Sequence, residues 1–268
     1  MNLLYEGWEG TIRDAQTASG TIPQTAPNLG WGASVEVAWP AAIVIPTWEI
    51  YKQYGNTRVI ESNLDAMKAF LDSIGNDKFA PDSYLTKGTA LTEHLALVGT
   101  DSPLCSNVLY AYMLGLFSKM AAAIGEDELA QHYSDLSVKV KEEWNQVFIN
   151  AATGQTQNSS GGIQDTQASY ALAIEYNVIS DENRDQAAEL LDQACERGYN
   201  NVPYTITTGF IGTAPLLPAL TDVGKVDTAY KMFEQTEFAS WLYPVTQGAT
   251  SIWERWNSYS VENSFGDS

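Results

Sequence analysis

Positively charged side chains are scarce in this chain of 268 residues. Only 14 Lys and Arg stand against 33 Asp and Glu, which gives a formal net charge of -19 and a pI near 4.2. A field of that sign repels phosphate backbones and anionic lipid headgroups, so the sequence predicts neither a nucleic-acid partner nor a membrane partner. A neutral or cationic substrate is compatible with this charge.

Long apolar runs are missing as well, and none approaches the roughly 18 residues that a membrane-spanning helix requires. The residues that follow Met1 show no signal-peptide pattern. The sequence therefore assigns no compartment, and the chain is cytoplasmic or is exported together with a further N-terminal part.

Cysteine and histidine are rare, with two residues of each type. Cys105 and Cys195 each lie in a helical pattern, which predicts buried reduced thiols rather than a disulfide framework. Neither His94 nor His132 belongs to a His or Cys cluster, so no zinc site is predicted. No phosphate-binding glycine loop, CxxC pair or nucleophile elbow is present, and the sequence predicts no cofactor.

Helices of two kinds alternate along the chain. An almost wholly apolar helix is followed by an amphipathic one four times, over residues 40–54 and 57–74, 103–124 and 127–148, 163–176 and 181–197, and 209–220 and 225–235. Helices that are apolar all round must be enclosed, whereas helices with one apolar stripe lie on a surface. The pattern predicts an all-α fold of the α/α-toroid type, as one domain over residues 1–268. A two-layer solenoid would need a fixed period, and these pairs start at uneven intervals.

One segment, residues 248–256, brings a carboxylate, a guanidinium and two indole rings together in the sequence. Its sequence Gly-Ala-Thr-Ser-Ile-Trp-Glu-Arg-Trp places Glu254 between Trp253 and Trp256 and beside Arg255. Flat aromatic rings pack against the C–H faces of sugars, and a carboxylate among them is suited to acid or base chemistry on a glycosidic bond. The alternative is that the two tryptophans, three apart, form the buried face of a helix. The segment alone does not decide between these interpretations.

A second candidate region is the weakly patterned stretch 76–101, because connections longer than about 12–15 residues are often functional. It contains Glu93 and His94. His94 could contact a ligand, and a purely structural hydrogen bond is an equal alternative.

Several motifs taken together resemble the bacterial α-L-rhamnosidases, which are inverting glycoside hydrolases with a six-hairpin α/α-toroid catalytic domain. The resemblance runs along almost the whole chain. It rests on the order and spacing of these pieces: Thr207-Thr208-Gly209-Phe210-Ile211-Gly212-Thr213, Ser240-Trp241-Leu242-Tyr243-Pro244-Val245, the segment 248–256, Gly30-Trp31-Gly32, Thr166-Gln167, Asn257-Ser258-Tyr259 and Phe265-Gly266-Asp267.

The resemblance implies that Glu254 is the general base, which activates a water for attack on the anomeric carbon. It also implies that Trp253, Trp256 and Trp241 wall a rhamnose subsite. The expected partners are therefore rhamnose-containing glycosides or oligosaccharides.

Three further residues enter through the same resemblance. Glu93 falls where many relatives carry an acidic residue, which implies a contact with a sugar hydroxyl, and His94 is its neighbour. Trp39 falls in a segment that often reads Trp-Gly-Asp-Ala but here reads Trp-Pro-Ala-Ala. Trp39 therefore belongs either to the site or to the core.

The family's general acid lies in an Arg-Asp-Glu segment that this sequence does not contain, and the family continues beyond the part that matches Asp267. We therefore expect an incomplete toroid with weak activity or none of its own, which self-associates through unpaired surface. Two other functions stay open: a non-catalytic helical module that binds carbohydrate or protein, and an inverting toroid glycosidase for another sugar.

Overall fold

The computed structural model describes residues 2–30, 35–88, 91, 93–260 and 264–265. The chain divides into two compact units. Unit 1 comprises Met1–Thr92 with Ser102–Gln146, and unit 2 comprises Glu93–Asp101 with Val147–Ser268. The prediction that residues 1–268 form a single domain stays a prediction. Trp31, Gly32, Gly266 and Asp267, which belong to the quoted motifs, lie outside the described residues.

Unit 1 consists of helices. In chain order these are α1 Asn2–Ala15, a 3-10 helix Pro40–Ile43, α2 Ile45–Tyr54, α3 Thr57–Asn76, α4 Ser102–Ala123 and α5 Asp127–Phe148, whose last two residues fall in unit 2. Gly55 ends α2 with φ of 65° and accepts the left-handed backbone at no steric cost, and the Asn56 side chain then caps α3. Helix α1 was not anticipated from the sequence.

The centre of unit 1 is α4, which is buried on nearly all sides. Helix α5 instead presents one buried stripe that includes Tyr133, Val140 and Trp144. The fully buried Trp144 donates its indole N–H to the Leu104 carbonyl over 3.0 Å. The predicted pairing of an enclosed helix with an amphipathic one is therefore found here.

A buried polar cluster joins α1, α2 and α3. The Glu9 carboxylate is wholly inaccessible and accepts hydrogen bonds from the Thr47 hydroxyl at 3.0 Å and the Asn63 amide at 2.8 Å. Arg13 donates in turn to the Asn63 side-chain oxygen. Burial raises the pKa of Glu9, and the hydrogen bonds from Asn63 and Thr47 oppose that rise. Every member has a partner, as buried polar groups require.

Unit 2 contains shorter elements. They are α6 Gln167–Glu175, α7 Asp181–Arg197, a 3-10 helix Tyr199–Asn201, α8 Phe210–Asp222, α9 Val226–Phe233, α10 Tyr243–Thr246, and the antiparallel pair β1 Tyr259–Ser260 and β2 Ser264–Phe265. The apolar α6 and α8 pack against each other. Helix α6 begins at Gln167 rather than at Ile163, because Thr166 caps it by accepting the Ser169 N–H at 3.2 Å.

Both cysteines are buried, Cys105 in α4 and Cys195 in α7. Burial raises the pKa of the Cys195 thiol far above its ordinary value. Among the described helices, none is long and apolar enough to cross a membrane.

Candidate functional site

A cavity of about 480 Å³ lies in unit 2. Its lining comes from Leu95, from the start of α8 and the residues just before it, from Trp241 and the neighbouring α10, and from the segment 249–256. Four of the residues singled out from the sequence line it together: Glu254, Trp253, Trp256 and Trp241.

The segment 248–256 is not helical. Gly248 follows α10 with φ of 81°, and the residues after it form bends and a turn. This left-handed backbone suits glycine and ends α10. The interpretation of Trp253 and Trp256 as one face of a helix is therefore wrong, and both side chains are half-buried on the cavity wall instead.

Two indole rings form one wall of the cavity. The Trp241 and Trp256 rings meet edge to face, with centroids 4.8 Å apart and an interplanar angle of 84°. Trp256 donates its indole N–H to the Thr208 carbonyl over 2.8 Å. The buried indole nitrogen of Trp241 has no hydrogen-bond partner among the described residues. Unsatisfied buried donors are uncommon in folded proteins and call for an explanation.

Trp253 forms a second wall together with tyrosines. Its ring lies 6.3 Å from that of Tyr243 and 6.1 Å from that of Tyr259, with both pairs close to edge to face. Such contacts hold the indole in place by packing. Trp253 is therefore supported from two sides while it lines the cavity.

Glu254 is exposed and is one of the residues that line the cavity. Within the described part of the chain it accepts no hydrogen bond and forms no ion pair. The neighbouring Arg255 also lines the cavity, and its side chain does not pair with Glu254. A carboxylate without a protein partner stays open to water or to a ligand, which is the condition that proton transfer requires.

Glu93 has a different environment. Its carboxylate accepts hydrogen bonds from the backbone N–H of Gly209 and, at 2.9 Å, from that of Gly212, at the N-terminus of α8. Burial raises the pKa of Glu93 to about 7, and the N–H groups of Gly209, Gly212 and Ile211 oppose that rise. Glu93 does not line the cavity, and its contact with a sugar hydroxyl stays a prediction.

The glycines of the Thr-Thr-Gly-Phe-Ile-Gly-Thr motif permit this contact. A Cβ atom at Gly209 would clash with the His94 carbonyl, and one at Gly212 would lie 2.8 Å from the Ala168 Cβ and 2.6 Å from a Glu93 oxygen. Only glycine therefore allows α8 to start so close to the loop that carries Glu93.

His94 and Trp39 lie outside the cavity lining. His94 is half-buried and meets Phe210, which does line the cavity, edge to face at 5.8 Å. Trp39 belongs to unit 1, where it is half-buried and directly precedes the 3-10 helix Pro40–Ile43. Their contacts with substrate stay predictions.

Sequence reasoning missed the apolar rim of the cavity. Phe210, Val245 and Ile252 line it and are 43%, 63% and 89% exposed. The only available signal was that each lies within a quoted motif, namely Thr207–Thr213, Ser240–Val245 or residues 248–256. The described residues contain no group of three or more His, Cys, Asp or Glu that could hold a metal ion.

Comparison with known proteins identifies similar chains. Residues 1–267 match the model of the bacterial alpha-L-rhamnosidase 6 hairpin glycosidase domain. An alpha-L-rhamnosidase of Streptomyces avermitilis is 30% identical over 96% of this chain and 24% of its own length. One of Formosa agariphila is 30% identical over 98% of this chain and 28% of its own. The chain thus spans about a quarter of the length of these relatives.

Solved structures give the same result. The crystal structure of Streptomyces avermitilis alpha-L-rhamnosidase complexed with L-rhamnose superposes with a TM-score of 0.85 at 30% identity, covering 97% of this chain and 24% of that chain. Native alpha-L-rhamnosidase from Aspergillus terreus gives a TM-score of 0.86 at 25% identity, covering 97% of this chain and 30% of that chain. The predicted all-α fold class of the α/α-toroid type is confirmed.

Proposed function

Because the chain belongs to the bacterial alpha-L-rhamnosidase 6 hairpin glycosidase family, we propose that its cavity binds a terminal α-L-rhamnosyl unit and that Glu254 is the general base of an inverting hydrolysis. The observation that carries the proposal is that the exposed residue Glu254 lines one cavity together with Trp241, Trp253 and Trp256. The Streptomyces avermitilis relative, whose structure is complexed with L-rhamnose, supports this choice of sugar.

In this mechanism each residue has a distinct task. The indole faces pack against the C–H faces and the 6-methyl group of rhamnose, which orients the anomeric carbon. Glu254 accepts a proton from a water molecule, and the water oxygen attacks the anomeric carbon on the face opposite the leaving oxygen. Inverting enzymes hold their two carboxyl groups about 6.5–9.5 Å apart to make room for this water.

No residue of this chain is assigned as the general acid that protonates the leaving oxygen. A positioned acid typically contributes a factor of about 10²–10⁴ in rate. We therefore expect the 268-residue chain to hydrolyse rhamnosides slowly, and substrates with good leaving groups, such as 4-nitrophenyl α-L-rhamnoside, to be affected least.

The test combines binding with stereochemistry. Calorimetric titration should show binding of L-rhamnose and weaker or no binding of D-glucose and D-galactose. Proton NMR of the first product released from the aryl rhamnoside should show the inverted anomer. Equal affinity for the three sugars would overturn the choice of rhamnose, and a product of retained configuration would remove Glu254 as the base. Rhamnose binding with no detectable hydrolysis even of 4-nitrophenyl α-L-rhamnoside, which needs an acid least, would instead favour the non-catalytic carbohydrate-binding function.

We also propose that the chain self-associates. Leu3 and Leu4 of α1 are 82% and 71% exposed, and apolar groups this exposed favour burial against another surface. Light scattering at several concentrations should show a mass above 29.4 kDa. A monomer at every concentration would refute self-association and leave the sugar site untouched.

A further inference from the structure

We propose that Glu93 is a positioning residue for the indole wall of the cavity. In this proposal its carboxylate fixes the start of α8, and the start of α8 fixes Trp256 through the Thr208 carbonyl. The consequence for sugar affinity rests on the proposed function, whereas the consequence for the indole geometry does not.

The first step is the contact between the loop 93–98 and the start of α8. Glu93 accepts the N–H groups of Gly209 and Gly212, and the Phe210 N–H donates to the His94 carbonyl over 3.0 Å. Helix α8 has no side-chain cap from its own N-cap residue, Gly209. A residue 116 positions earlier in the chain therefore satisfies amides that a helix N-terminus leaves unpaired.

The second step concerns the two residues that precede Gly209 and the start of α8, Thr207 and Thr208. The Thr207 carbonyl accepts the N–H groups of Leu97 and Val98 at 3.0 and 3.1 Å. Thr208 is fully buried and lies between this anchor and Gly209, which Glu93 holds. The Thr208 peptide is thus fixed on both sides by the loop 93–98.

The third step is the contact with the cavity wall. The Thr208 carbonyl accepts the Trp256 indole N–H at 2.8 Å, and the Trp256 ring meets Trp241 edge to face. The segment that carries Trp256 lacks helix and strand from residue 247 to residue 258. A hydrogen bond to a rigid carbonyl therefore restricts an indole that its own backbone holds weakly.

A carboxylate suits this position because it offers two acceptor oxygens to two N–H donors at the positive end of a helix. Protonation turns one of these oxygens into a hydroxyl that faces an N–H group, which weakens one contact. The pKa of Glu93 is raised to about 7, chiefly by burial. The first turn of α8 carries no titratable side chain, and His94 is the titratable neighbour of Glu93 on its own loop.

The test is the exciton couplet that two indoles in contact give in the circular dichroism spectrum. Trp256→Phe identifies the contribution of the Trp241–Trp256 pair. Glu93→Gln keeps the side-chain shape but presents an amide N–H to one backbone N–H. We expect it to lose this couplet while the helical signal stays, and to raise the dissociation constant for L-rhamnose about tenfold, which is the loss of roughly one hydrogen bond.

Glu143→Gln is the matched control. The Glu143 carboxylate also accepts a backbone N–H, that of Tyr84 at 2.6 Å, but it lies in unit 1. This variant should lose stability and keep the couplet. Equal loss of the couplet in both variants would show a general effect of destabilisation and would overturn the proposal.

A second measurement needs no variant. The couplet of the unsubstituted chain should weaken as the pH falls through about 7, since burial raises the pKa of Glu93 to about 7. A couplet that stays constant through that range, or one retained in Glu93→Gln, would overturn the proposal. Because these spectra are recorded without sugar, failure of L-rhamnose to bind would count against the proposed function alone.

Discussion

Glu9 in unit 1 and Glu254 in unit 2 show two opposite settings for a carboxylate. Glu9 accepts hydrogen bonds from Thr47 and Asn63 and is wholly inaccessible, so a ligand cannot reach it. Glu254 is exposed in a cavity and has no partner among the described residues. A carboxylate whose oxygens are bonded within the protein holds helices together, whereas one without a protein partner at a cavity wall is available to water or to a ligand.

Two tryptophans repeat this contrast. Trp144 and Trp256 each donate an indole N–H to a backbone carbonyl, that of Leu104 at 3.0 Å and that of Thr208 at 2.8 Å. Trp144 is fully buried in the core of unit 1, while Trp256 shows part of its surface to the cavity. The same hydrogen bond thus serves the core in one unit and a binding surface in the other.

The largest expected effect is the loss of catalytic activity when Glu254, but not Glu9, is the carboxylate that is replaced. Glu254→Gln should lower kcat/KM for an aryl α-L-rhamnoside by about 10²–10⁴-fold, because the amide cannot accept a proton from water. The midpoint of thermal unfolding should not move, since Glu254 makes no contact that folding depends on. Steady-state kinetics and calorimetry measure the two quantities, with Glu237→Gln as an exposed control. Unchanged kcat/KM in Glu254→Gln would exclude Glu254 from the mechanism.

The second effect concerns stability. Glu9→Ala leaves the Asn63 amide and the Thr47 hydroxyl without their acceptor in a buried site, which should lower the free energy of unfolding by about 2–4 kcal/mol. Urea unfolding measures this loss, and the exposed Glu61→Ala on α3 is the control. L-rhamnose affinity per folded molecule should stay unchanged. If Glu9→Ala is as stable as Glu61→Ala, the buried Glu9 does not hold the helices of unit 1 together, and the contrast with Glu254 is wrong.

Smaller effects are expected for Trp256 and Trp144, where one substitution should weaken sugar binding and the other should lower stability. Trp256→Phe removes the N–H donor to Thr208 and part of the ring, so L-rhamnose should bind about tenfold more weakly, equivalent to about 1.4 kcal/mol. Trp144→Phe should instead lower stability and leave binding intact. Titration calorimetry measures the affinity for L-rhamnose and urea unfolding measures the stability of both variants. The contrast fails if both variants change the same quantity.

The smallest effect is a pH dependence. Burial raises the pKa of Glu9 above its ordinary value, so the folded state favours its neutral form. Its contribution to stability is then complete below about pH 4.5 and declines as the pH rises through the folded-state pKa. Glu9→Gln should remove this part of the pH dependence of urea unfolding, whereas Glu61→Gln should retain it. An unchanged pH profile in Glu9→Gln would contradict the raised pKa.

The sequence predicted the paired helices well because the difference between an apolar helix and an amphipathic one is a local pattern. The same reasoning missed α1, which buries Ile12 but not its leucines. Leu3 and Leu4 are exposed there, while Glu9 is buried. Apolar periodicity gives no sign that Glu9 of this helix is buried while Leu3 and Leu4 are exposed.

For the site, the segment 248–256 marked Glu254 by composition, and the family resemblance added Trp241. The cap that Glu93 provides on α8 could not be read from the sequence. Its partners lie 116 and 119 positions away. Many kinds of side chain can accept a hydrogen bond from a backbone N–H, so the sequence around the start of α8 does not indicate which residue caps it. Tertiary contacts of this kind leave only the two glycines as a trace.

Each of the two compact units contains one cysteine, Cys105 in the first and Cys195 in the second, and neither thiol is accessible in the native fold. A thiol-reactive dye can therefore label a cysteine only when the unit around it opens. Two single-cysteine proteins would follow the opening of each half separately during denaturation, with no probe added to the surface. The chain thus carries built-in reporters of whether its halves unfold together or in sequence.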